Sequence, residues 1–137
     1  MITTLSADEC RALLTSATVG RVGFVRDGRI EIIPVNYVRD GEDIIIRTAP
    51  GGILSDLPSS PVDLAFEVDH IHAQGGTGWS VLLSGTVRAV SEPDELAAIH
   101  ELPLYWVTPW AGGDRSLHLR FTPSTISGRE VRHERNL

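Results

Sequence analysis

The chain contains no lysine; all 12 basic side chains other than histidine are arginine. Schiff-base chemistry on an internal lysine is thereby excluded, and any phosphate site must be built from arginine, hydroxyls or backbone N–H groups. Cysteine is nearly absent too. Cys10 stands alone, so no intrachain disulfide can form and the composition suits a reducing interior. No apolar run approaches the roughly 20 residues of a membrane span. Met1-Ile2-Thr3-Thr4 lacks the basic segment and apolar core of a secretory signal, so the cytoplasm is the expected compartment. Positive charge is scarce: 18 acidic residues leave a formal net charge of −6. Such a chain has no general attraction for nucleic acid or anionic lipid, and neither is expected as a partner.

What is present reads as one β-rich unit. The 137 residues, 42% hydrophobic and 22% charged, suit a single soluble domain over 1–137. Ser6 and Glu9 have capping-box spacing ahead of a short apolar stripe, which predicts an opening helix. Val19 to Val25, Ile30 to Val38 and Asp43 to Thr48 read as strands separated by Asp27-Gly28 and Asp40-Gly41, the signals of an antiparallel meander. Ala49-Pro50-Gly51-Gly52 breaks the sheet, and Ile53 to Leu57 reads as one or two helical turns. Val62 to Ile71 and Gly78 to Val90 are further strands, and Ser91 to Leu102 reads as a helix. Pro103 to Asp114 is an aromatic loop. Leu117, Leu119 and Phe121 alternate along a sixth strand, and the polar tail after Ile126 reads as peripheral. Six antiparallel strands with short peripheral helices predict a small split β-barrel, mainly β.

Three strand segments carry candidate binding chemistry. Arg47 and Thr48 end one strand before the glycine turn into Gly52-Ile53, offering a cation, a hydroxyl and the N–H groups of a helix start for a phosphate. On spacing alone they read first as a strand-terminal arginine before an ordinary turn. Pro34-Val35-Asn36-Tyr37 places proline inside a strand, which marks an edge or bulge with unpaired backbone. That backbone suits either a ligand lying along the strand or a plain distortion of the barrel rim. In Gly78-Trp79-Ser80-Val81, Trp79 and Val81 face one way and Ser80 the other. Ser80 can donate to a phosphate or sugar oxygen, while a buried structural tryptophan is the usual reading of Trp79. Tyr105, Trp106 and Trp110 can shield a flat ligand or make a subunit contact. His70 and His72 alternate beside Asp69 without a third residue spaced to complete a metal site, so no metal is expected.

Taken in order, Val19-Gly20-Arg21, Pro34-Val35-Asn36-Tyr37, Arg47-Thr48, Phe66-Glu67-Val68-Asp69, Gly78-Trp79-Ser80-Val81 with Gly85, and Ile126-Ser127-Gly128-Arg129 resemble the pyridoxamine 5'-phosphate oxidase-like, FMN-binding split-barrel family, in its nitroimidazole-resistance-protein-like branch. The resemblance implies a homodimer with flavin sites at the subunit interface and reduction of a small-molecule substrate. It makes Pro34, Val35, Asn36, Tyr37, Arg47, Thr48, Gly52, Ile53, Trp79, Ser80, Val81, Trp106 and Trp110 the expected cofactor contacts, with Trp106 or Trp110 coming from the partner subunit; it assigns no catalytic side chain.

There is one departure. Relatives that bind FMN commonly carry a lysine or arginine shortly after the glycine turn, where this chain has Gly52-Ile53-Leu54-Ser55. A missing charge-assisted contact is worth about 1.5–3 kcal/mol, on the order of ten- to a hundredfold in affinity. The alternative expectation is therefore a homodimer that is cofactor-free or binds the deazaflavin F420 or another ligand, without flavin redox activity. The basic residues needed to hold two phosphorylated ligands are also lacking, which argues against oxidation of pyridoxamine phosphate itself.

Overall fold

Two tight turns organise the N-terminal half. The computed structural model describes residues 1–60, 62–105 and 115–133; Trp106 and Trp110 lie outside them. Strands β2 (Val19–Arg26), β3 (Arg29–Asp40) and β4 (Asp43–Thr48) run antiparallel in succession. At the first turn Asp27 and Gly28 both have positive φ, 52° and 74°, the geometry that follows the right-handed twist of the flanking strands. At the second, Gly41 has φ 60° and takes the first of the two loop positions. Helix α1 (Ala7–Leu14) forms where the capping box predicts it. The Glu9 N–H donates to Ser6 Oγ at 3.1 Å, and the Ser6 N–H donates to Glu9 Oε1 at 3.0 Å.

The remaining strands are β1 (Ile2–Thr4), β5 (Leu64–His72), β6 (Thr77–Ala89) and β7 (Leu117–Val131). Their order is β1-β7-β4-β3-β2-β5-β6, and β7 also pairs with β6. Six strands thus make a partly closed antiparallel ring, with β1 attached to the end of β7. The count is seven rather than the six expected from sequence. Ile2–Thr4 is too short to show a period, and it becomes a strand because Val131, Glu130 and Arg129 pair with it. The stretch after Ile126 is likewise not peripheral. It continues β7 and pairs with β6 as far as Val131; its polar pattern reflects outward-facing positions.

Inside the ring, Val22, Ile44, Ile46, Phe66, Leu119 and Phe121 are fully buried. Gly20 is required there, because a Cβ at that position would overlap the Phe66 ring. Helix α1 rests on β7 at Gly128, where a Cβ would lie 2.5 Å from Cys10 Sγ. On the outer face, helix α2 (Pro93–His100) places Ile99 against Val38, Ile45 and Val90. An ion network fixes this layer: the Arg120 guanidinium donates to Glu95 at 2.8 Å, Asp40 at 2.9 Å and Asp43 at 3.0 Å. The outer face of the β2–β3 hairpin is different. Val25, Ile30 and Ile32 remain 60%, 80% and 65% exposed. Among the described residues no helix is long and apolar enough to cross a membrane.

Candidate functional site

The residues singled out from sequence fall into two groups. The first lies where β4 ends. Asn36 stands opposite Arg47 in the β3–β4 register, and that pairing stops there. Pro34, still paired to Arg21 of β2, therefore faces the gap where β4 has turned away. Into this gap open Pro34, Val35 and Asn36 from β3, Arg47 and Thr48 from β4, and Gly52 and Ile53 from the turn, around a cavity of about 240 Å³. Its contents are an apolar wall, a hydroxyl and a cation. Arg115 lines the same cavity, bringing a second guanidinium from just before β7.

The helix start contributes less than the glycine turn implies. Ile53–Ser59 is a seven-residue 3-10 helix. Its Ser55 N–H donates to the Gly52 carbonyl at 3.0 Å, and the Ser55 hydroxyl donates to the same oxygen at 2.6 Å. The positive charge of this corner comes from side chains. Tyr37 turns away from the cavity. It is 2% exposed, its hydroxyl donates to the Leu14 carbonyl at 2.6 Å, and its ring meets Phe66 edge-on at 5.1 Å. Asn36 is 5% exposed, and its amide donates to the Thr18 carbonyl at 3.4 Å.

The second group lies on β6. Ser80 sits between Asp69 of β5 and Arg129 of β7, and all three line a cleft of about 610 Å³ that Trp79, Glu67 and His133 also border. Val81 is fully buried, and Trp79 packs partly against the core. One nitrogen of Arg21, Nη1, donates to Glu67 at 3.1 Å and to Asp69 at 3.0 Å. Burial pushes the Glu67 carboxyl up to about 7, with the hydrogen bond and negative charge of Asp69 adding to the effect and Arg21 opposing it. His70 and His72 stack edge to face at 4.2 Å, and no metal-binding cluster occurs among the described residues.

One chain does not unite the two groups. Arg47 pairs with His118 and Ser80 with Arg129. Those partners are separated on β7 by a path on the order of 35 Å at the usual strand rise. Sequence reasoning singles out Tyr105 as a ligand shield or subunit contact but misses its bond to His118 beside Arg47, and it gives Arg115 no supported ligand role. For His118 a signal existed: it is the polar residue between Leu117 and Leu119, so it faces away from the core. Nothing local marks Arg115 as a cavity residue or Tyr105 as the partner of His118.

Known proteins share this architecture. The family model described as pyridoxamine 5'-phosphate oxidase matches residues 6–130. An uncharacterized protein of Mycobacterium tuberculosis is 30% identical over 128 residues, covering 90% of this chain and 82% of its own length. A Corynebacterium glutamicum protein, described as a candidate pyridoxamine 5'-phosphate oxidase, is 31% identical, with a TM-score of 0.80 and coverage of 98% of this chain and 96% of its own. The FAD binding protein of Mycobacterium smegmatis is 30% identical, with a TM-score of 0.76 over 96% of this chain and 99% of its own. With a matching family model over most of its length and the split barrel to go with it, the chain belongs to the pyridoxamine 5'-phosphate oxidase family.

Proposed function

We propose that the 137 residues form one split-barrel domain that works as a cytoplasmic homodimer, binds a flavin between its subunits and reduces a small molecule. The observation that carries this reading is the convergence of Arg47, Thr48 and Arg115 on one cavity with Pro34 and Ile53 as its apolar wall. Two guanidiniums and a hydroxyl are the donor set a phosphate needs when lysine is absent. At about 240 Å³ the cavity suits a phosphate and part of a sugar chain, being smaller than the roughly 300–1,000 Å³ typical of whole ligand pockets. The cleft beside Ser80, at about 610 Å³, falls within that range. A second copy that brings its cleft to the first copy's cavity completes a site for a flat ring with an anionic tail. The exposed Val25, Ile30 and Ile32 give such a copy an apolar face to cover.

FMN is the flavin best suited to this division. Arg47, Arg115 and Thr48 would hold its phosphate, Pro34, Val35 and Ile53 would wall the adjoining chain, and Trp79 and Ser80 of the partner copy would border the ring. A bound flavin supplies hydride and electron transfer. The chain's own residues bind, orient and exclude water, and Glu67 can hold a proton beside the cleft near neutral pH. Arg115 also bears on the cation missing after Gly51-Gly52, since it lines the same cavity. The second reading, a cofactor-free or F420-binding dimer, keeps the uncharged Gly52-Ile53-Leu54-Ser55 in its favour.

Calorimetry of the intact protein with FMN, FAD, riboflavin and F420 separates these readings. Tight FMN binding at one site per subunit is the expected result. Absence of heat with every flavin overturns the proposal, and F420 binding alone selects the second reading.

A further inference from the structure

His118 lies opposite Arg47 in the β4–β7 register and is 4% exposed. Its Nδ1 is 3.1 Å from the Ser116 carbonyl oxygen, which can only accept, so the neutral ring carries its hydrogen on Nδ1. Nε2 then presents a lone pair, and the Tyr105 hydroxyl 2.9 Å away donates to it. Burial pushes His118 below the ordinary histidine range; the bond to Ser116 opposes this, and the charges of His100 and Arg47 reinforce it. The ring is therefore neutral at physiological pH, and the Tyr105–His118 bond keeps one sense. The two rings lie nearly parallel, 19° apart with centroids at 5.7 Å, and His100 packs edge-on against Tyr105 at 4.7 Å. So held, the Tyr105 ring presents its face to the Arg47 guanidinium, whose central carbon is 4.9 Å from the ring centroid.

We propose that Tyr105, locked in place by His118, is a positioning residue that orients the Arg47 guanidinium at the mouth of the Pro34–Ile53 cavity and thereby sets the preference for a phosphorylated over an unphosphorylated ligand. The inference rests on the reading of Arg47 as the anion anchor. An arginine stacked on an aromatic face is held by the ring quadrupole and gives up less rotamer freedom when an anion arrives. Tyr105 itself does not line the cavity, so its influence on a ligand runs through Arg47.

The test compares FMN with riboflavin, which lacks the phosphate, on wild-type protein and on Tyr105→Leu, Tyr105→Phe, Arg47→Ala and Arg47→Ala/Tyr105→Leu. Expected is a roughly tenfold loss of FMN affinity in Tyr105→Leu, riboflavin affinity within about twofold of wild type, and a double variant no weaker than Arg47→Ala alone. Equal losses for both ligands, or additive losses in the double variant, overturn the proposal. Tyr105→Phe keeps the ring without the hydroxyl, so it serves if Tyr105→Leu fails to fold, and a smaller loss confined to FMN is expected. A ligand-free readout separates this inference from the flavin reading. If wild-type protein binds no flavin, the flavin reading fails, and the NMR position of the Arg47 Nε–H decides the rest. A ring-shifted resonance that moves to the ordinary arginine position in Tyr105→Leu sustains the positioning, and an unmoved one overturns it.

Discussion

The cavity at the end of β4 and the cleft on β6 have opposite chemistry although one sheet builds both. Among the described residues the cavity gathers two arginines and no carboxylate, while the cleft gathers Glu67 and Asp69 against Arg129. A phosphate suits the first. The hydrogen-bond donors on the edge of a flat heterocycle suit the second. One chain holds the two far apart along β7, so the proposed flavin site is one that draws its two halves from two copies, and each half can be disabled separately.

The largest effect is expected from separating the copies. Ile32→Glu places a charge in an apolar face where Ile32 is 65% exposed, so the monomer tolerates it while a dimer burying that face does not. Sedimentation should show a monomer, and FMN affinity should drop by at least about thirtyfold, corresponding to about 2 kcal/mol. A monomeric variant that binds FMN as tightly as wild type would mean that the cavity suffices alone, and the contrast between the halves would lose its functional meaning. Next in size is Arg47→Ala, which removes a charge-assisted contact worth about 1.5–3 kcal/mol. FMN should bind ten- to a hundredfold more weakly by calorimetry, with riboflavin almost unaffected. If riboflavin suffers equally, Arg47 supports the fold rather than an anion.

A smaller loss is expected on the other half. Ser80→Ala deletes one neutral donor at the cleft, a contact worth about 1 kcal/mol or roughly fivefold in affinity. The loss should appear with FMN and riboflavin alike if Ser80 meets the ring or sugar, and with FMN alone if it meets the phosphate. The variant thus sharpens the comparison by assigning the cleft its part of the ligand.

How far all this was legible from sequence follows the range of the interactions. The Ser6–Glu9 box and the Asp27-Gly28 turn are local, completed within four residues, and both formed where their signals stand. Pro34, Arg47 and Gly52 converge because two hairpin strands and a turn adjoin in the chain, which a meander places side by side. Arg115 enters the same cavity only because the ring brings β7 against β4, and no periodicity reports such a closure. Tyr105 and His118 face the same difficulty, since their bond depends on how the segment after α2 folds back over the outer sheet. Ile2–Thr4 and the end of β7 were missed for a related reason: each is a strand by virtue of its partner, while its own residues are exposed and polar or too few to show an alternation.

The last expected effect falls on stability rather than on ligand affinity: a change in pH dependence at the acidic half. Folding lifts the Glu67 carboxyl from its ordinary 4.5 to about 7, so between those values the folded chain holds a proton that the unfolded chain has released. By linkage the Glu67 contribution to stability is fully present below pH 4.5, declines as pH rises, and levels off above about 7. Glu67→Gln, which is neutral throughout, lacks this decline. Its melting temperature relative to wild type should therefore be higher at pH 8 than at pH 5. Arg21 works in the opposite direction, since it donates to Glu67 and favours its charged form. Parallel pH profiles for Glu67→Gln and wild type would mean that Arg21 prevails, leaving Glu67 ionised and removing it as a holder of a proton beside the ligand.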